Sequence, residues 1–108
     1  MTPPAPAPPP SREIRIAFDK DVPMSEAAGT LELALLATES LHGTERVRMD
    51  AAWSLDRPTR NVTIDASTEI GHTLALVFFG LSRREFGAAS VRFRHAAPAR
   101  RENAGAAR

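Results

Sequence analysis

Between residues 13 and 95, two long segments with helical spacing alternate with short segments whose apolar side chains recur at every second position. Such a rhythm constrains a chain more tightly than its composition does, because strand and helix periods are mutually exclusive locally and each demands a core on one side. Read in order, the segments run strand, helix, strand, strand, helix, strand.

The first strand is expected over Glu13 to Asp19, where Ile14, Ile16 and Phe18 face one way and Glu13, Arg15, Ala17 and Asp19 the other. Asp19-Lys20-Asp21 and Pro23 then lead into a helix from about Met24 to His42, capped by Ser25 or Asp21 and closed by Gly43. From Glu45 to Leu55 the apolar residues Val47, Met49, Ala51 and Trp53 alternate with polar ones. This reads as a second strand, joined through Asp56-Arg57-Pro58-Thr59 to a third with Val62, Ile64 and Ala66 inward. Ser67 or Thr68 caps a second helix reaching about Glu85, with Glu69 in its first turn and Gly87 after its last. Ser90 to His95 makes the final strand, with Val91 and Phe93 inward.

Two right-handed β-α-β crossovers interleaved by a hairpin imply an α+β split sandwich of ferredoxin-like topology. The expectation is a four-stranded antiparallel sheet in the order 4-1-3-2 with both helices on one face, and a core of Ile14, Ile16, Phe18, Val62, Ile64, Val91 and Phe93. This topology hosts enzymes, metabolite sensors, RNA binders and assembly subunits alike, so function has to be argued from surfaces.

Residues 13–95 form one domain, flanked by arms expected to be disordered: a Pro/Ala-rich segment over residues 1–12 and an Ala/Arg-rich tail over 96–108. Between Ser11 and His95 there are 11 basic and 12 acidic residues, so the excess of positive charge resides in the tail and does not point to a nucleic-acid domain. The 13 arginines set against a single lysine, with abundant alanine, suggest a GC-rich bacterial coding sequence. The chain has no cysteine, which excludes disulfides, thiolate catalysis and Cys-based metal sites. Its N-terminus lacks the basic and apolar regions of a signal peptide, and its longest apolar run, Leu74 to Leu81, is too short to span a bilayer, so a cytoplasmic location is expected.

No catalytic, cofactor or metal site is expected. Asp65, Ser67 and His72 lack the strained elbow and spacing of a hydrolase, and Ser67 and Glu69 are explained as a helix start. His42, His72 and His95 lie in three elements, and Asp19 with Asp21 is too sparse for a calcium loop. Five arginines, Arg15, Arg46, Arg48, Arg92 and Arg94, are placed on the open face of the sheet, interleaved with Glu13, Asp19, Asp50 and Asp65. Without aromatic residues for base stacking, that face reads as a solvated charged surface. Gly29 and Gly71 are expected to allow close packing onto the sheet, and the mid-helix Gly80 to mark a close contact.

Helical wheels supply the functional clue. Ala27, Leu31, Ala34, Leu35, Thr38 and Leu41 form the core stripe of the first helix, leaving Leu33 and Leu36 outside; Ile70, Leu74, Val77, Phe78 and Leu81 form that of the second. Leu76, Phe79, Arg83 and Phe86 then point outward with His72. Leu33, Leu36, Leu76, Phe79, Arg83 and Phe86 are thus the candidate protein interface. The expected function is a non-enzymatic interaction or assembly module acting through its helical layer, with a second copy of itself or another protein as partner and no membrane or specific nucleic acid. The alternative is a dimeric sensor domain that binds a small metabolite between subunits.

Overall fold

The computed structural model describes residues 12–96; the arm and tail expected from composition fall outside the described residues except at their inner ends. Strand β1 spans Glu13–Phe18, helix α1 Met24–His42, α2 Thr44–Asp50, β2 Trp53–Asp56, β3 Asn61–Asp65, α3 Glu69–Phe86 and β4 Val91–Ala96, with a single 3-10 turn at Ala88–Ser90 before the last strand. The four strands form one antiparallel sheet in the order β2-β3-β1-β4. Register places Ile14 opposite Ile64 and His95, Ile16 opposite Val62 and Phe93, and Phe18 opposite Val91. Directly paired residues share a face, so the apolar members of these pairs converge beneath the helices, while His95 at the end of β4 stays exposed.

The core forms where the alternation said it would. Ile14, Ile16, Phe18, Val62, Ile64 and Val91 are buried together with Ala27, Leu31 and Ala34 of α1 and Leu74, Ala75 and Phe78 of α3, and Phe93 packs at its margin. Val22, in the loop before α1, joins them. Helix α1 starts at an extended Pro23 without a side-chain cap, so neither Ser25 nor Asp21 fills that role. Thr68 caps α3, its Oγ1 accepting from the Gly71 amide at 3.0 Å. Both long helices end at glycines in the left-handed region, Gly43 at φ 93° and Gly87 at φ 94°, where residues with a Cβ are strained.

Residues 44–50 are helical, which corrects the long second strand expected over 45–55. The alternation is genuine, but within residues 44–50 Val47 is the one buried side chain, and a single apolar anchor is served equally well by a helical turn; Ala51 and Leu55, which pack against the core, lie beyond that helix. The segment carries Glu45 in its first turn, Arg48 in its last and an Arg46–Asp50 contact at 3.9 Å, all favourable to a helix. Met49 is consequently 83% exposed, and Trp53 lies on the edge strand at 45%. The core stripe of α1 also ends one turn earlier than expected, at Thr38; Leu41 is 70% exposed because the chain turns at Gly43 and the core beneath the helix stops short of it.

Candidate functional site

Helices α1 and α3 pack lengthwise against each other on one face of the sheet. They run antiparallel: α2, which follows the end of α1, touches the beginning of α3, where Thr68 Oγ1 donates to the Asp50 carbonyl at 2.9 Å. Their buried stripes mix large core residues with small ones, Ala27, Thr30, Ala34 and Thr38 on α1 and Gly71, Ala75 and Ser82 on α3. An added Cβ at Gly71 would meet the Asp65 carbonyl oxygen at 1.9 Å, so α3 can begin directly over the end of β3 only with glycine there.

The opposite side of this layer is apolar where water should favour polar groups. Leu36 on α1 and Leu76 on α3 lie about 160 to 170° round their helices from the middle of the buried stripe, and Leu33 about 130°. They are 58%, 59% and 50% exposed. Two glycines share this outer surface, Gly29 on α1 and Gly80 on α3, and a Cβ built at either meets nothing within 4 Å. Among the described residues the close packing expected of Gly29 is therefore absent, as is the contact expected at Gly80. Glu26, Glu32 and Glu69 are exposed around the leucines, as are Arg83 and Arg84 at the end of α3.

Phe79 and Phe86 stand differently from the three leucines. Phe79 lies on the flank of α3 that faces β4, its ring 4.9 Å from that of Phe93, and Arg83 covers it at 5.4 Å. Phe86 meets Phe18 edge-on at 5.9 Å, as does Phe78. Both residues close the rim of the core: Phe79 reaches the edge strand β4 through Phe93, and Phe86 reaches the end of the inner strand β1 through Phe18. The outer surface consists of Leu33, Leu36 and Leu76, with Arg83 at its border.

The other surfaces carry less. Arg15, Arg92 and Arg94 do lie on the open face of the sheet, whereas Arg46 and Arg48 belong to α2, so the expected five-arginine surface is divided. Arg92 pairs with Asp19 at 2.5 Å in a half-exposed bridge, an interaction of at most about 1 kcal/mol. Glu13, Ala52, Trp53, Ser54, Thr63 and Asp65 line a shallow, open depression near the β2-β3 end of the sheet. Asp65 Oδ1 accepts from the Ser67 amide at 2.9 Å, a local turn leading into α3. Among the described residues no group of three or more His, Asp or Glu side chains is arranged to hold a metal ion, and no helix is long and apolar enough to cross a membrane.

Sequence reasoning passed over Arg60. From a turn position at φ 59° its guanidinium donates to the carbonyls of Asp19 and Val22, a structural tie that only the folded chain brings together. Leu41, Met49 and Trp53 are further exposed apolar side chains, and each became visible only once the second strand was shortened and the helix stripe truncated. No protein-family profile, curated protein sequence or solved structure matches this chain.

Proposed function

We propose that the protein is a non-enzymatic assembly module of ferredoxin-like topology that associates through the outer surface of its helical layer. The strand order read from the β4 edge is 4-1-3-2, and both long helices cover one face, which supports that topology with α2 as an insertion before β2. The functional reading rests on one observation: three leucines on two adjacent helices, each at least half exposed, at positions that face away from the core. A single exposed leucine is unremarkable, but an apolar surface shared by two helices of a small domain marks an interface.

Burying the exposed part of each leucine is worth roughly 1 to 1.5 kcal/mol, and a symmetric pairing engages three from each copy. Two helices of 18 and 19 residues side by side offer a face about 27 Å long and about 20 Å wide, and side-chain relief raises this toward the about 600 Å² per partner of the smaller stable interfaces. Sedimentation of the full chain and of a Leu33→Glu/Leu76→Glu variant tests the reading. The wild type should sediment above its 11.7 kDa monomer mass, and the variant should fall to that mass with unchanged circular dichroism. A wild type that stays monomeric up to about 100 μM, where an association of about 5.5 kcal/mol already shows, would contradict it.

A further inference from the structure

We infer that the partner is a second copy of this chain, with the two α3 helices crossing antiparallel at Leu76 and Glu69 of each copy facing the partner's Arg83. The inference rests on the assembly reading above and specifies its geometry.

Its basis is a symmetry in the exposed face of α3. Glu69 and Arg83 stand seven residues before and after Leu76. At 100° per residue the three lie within about 40° of one another on the helix surface, with the two charges about 21 Å apart along the axis. An antiparallel copy centred on Leu76 therefore sets each carboxylate against a guanidinium at both ends, whereas a parallel copy sets like charges together. Among the described residues neither Glu69 nor Arg83 has an ion-pair partner. Arg83 is nonetheless positioned, its guanidinium held over the Phe79 ring.

Gly80 provides an argument independent of charge. It follows Leu76 by one turn on the same face, and a glycine inside a helix costs about 1 kcal/mol relative to alanine. Nothing among the described residues uses its missing side chain, since an added Cβ there meets no atom within 4 Å. In the antiparallel pair residue 80 lies opposite the partner's His72, because the two positions are also symmetric about Leu76. Bare backbone there lets the helices approach and leaves room for the imidazole. The remaining exposed leucines, Leu33 and Leu36, are carried by α1 on the same side, so the two layers meet as a four-helix face.

Charge reversal tests the register with the full chain. Glu69→Arg and Arg83→Glu should each weaken self-association about tenfold in sedimentation velocity, since each places like charges opposite one another twice per dimer. An equimolar mixture of the two variants should recover association close to the wild type, because each then supplies what the other lacks. Circular dichroism reports whether each variant keeps its helices, and Glu69→Gln, which removes the charge without reversing it, should weaken association less than Glu69→Arg. If the wild type dimerises and the leucine variant does not, but the mixture shows no recovery, the antiparallel register is wrong and the surface reading stands. If the wild type dimerises and the leucine variant dimerises equally, both fall. A wild type that is monomeric throughout also overturns both.

Discussion

Arg60 reaches back 41 residues to donate a hydrogen bond from Nη2 to the Asp19 carbonyl at 2.5 Å, and it also donates to the carbonyl of Val22. The tip of the β2-β3 hairpin is thereby fastened to the loop that launches α1. Phe18 N donates to the Arg60 carbonyl at 2.9 Å, so main chain and side chain act on the same junction.

Loss of the guanidinium should accordingly be felt as stability. Arg60→Ala is expected to cost about 2 kcal/mol, the range for a charge-assisted hydrogen bond to a partly buried acceptor. Arg60→Gly should cost up to about 1 kcal/mol less than the alanine variant, because φ 59° suits glycine. Urea unfolding of the three proteins orders them directly.

The two glycines of α3 should respond in opposite directions. Gly71→Ala forces a methyl against the Asp65 carbonyl and should destabilise by about 1 to 3 kcal/mol. Gly80→Ala meets no atom and should stabilise the monomer by about 0.5 to 1 kcal/mol. Thermal unfolding in dilute solution reads both; the same Gly80 variant should associate more weakly than the wild type.

Two buried hydroxyls of the long helices form a second contrast. Thr38 Oγ1 donates to the Ala34 carbonyl at 2.8 Å, whereas Ser82 Oγ is buried without a partner among the described residues. Ser82→Ala removes an unpaired polar atom and improves helix propensity, so it should be neutral or stabilising by up to about 1 kcal/mol. Thr38→Ala should lose about 1 kcal/mol through its hydrogen bond and the buried methyl, as measured by the shift in urea midpoint.

Phe79 and Leu76 lie three residues apart, yet glutamate should act differently at each. Phe79→Glu inserts a carboxylate beside the Phe93 ring and should destabilise the fold by about 3 kcal/mol or more. Leu76→Glu faces water in the isolated chain and should leave the unfolding midpoint within about 0.5 kcal/mol while weakening association. Chemical unfolding in dilute solution separates the two.

Much of this arrangement is legible in the amino-acid sequence. Period-two alternation identifies the inward residues of β1, β3 and β4, and glycines at 43 and 87 mark where the long helices stop. The exposed leucines are equally visible on a wheel, since Leu33, Leu36 and Leu76 fall opposite the core stripes. Alternation misled over 45–55 because it records spacing and not burial: Met49 and Trp53 have the right period but no core to face. Phe79 and Phe86 were misplaced for a related reason. A wheel distinguishes toward from away, and it does not show that the edge strand β4 lies beside Phe79 or that the end of β1 lies beside Phe86. Arg60 left no periodic signal at all, because its partners are backbone carbonyls far off in sequence.

The absence of cysteine in the chain allows the central claim to be tested by a single introduced thiol. A residue at a two-fold axis faces its own copy, within the Cα separation of about 4.4 to 6.8 Å that a disulfide spans. Under mild oxidation Leu76→Cys should form a covalent dimer readily, while Ser54→Cys, also exposed but on the open face of the sheet, should remain largely monomeric on denaturing gels. Cross-linking of the Ser54 variant as fast as the Leu76 variant would contradict the assignment of the outer helical face as the surface of association, and cross-linking of neither while the wild type self-associates would contradict the placement of Leu76 at the two-fold axis.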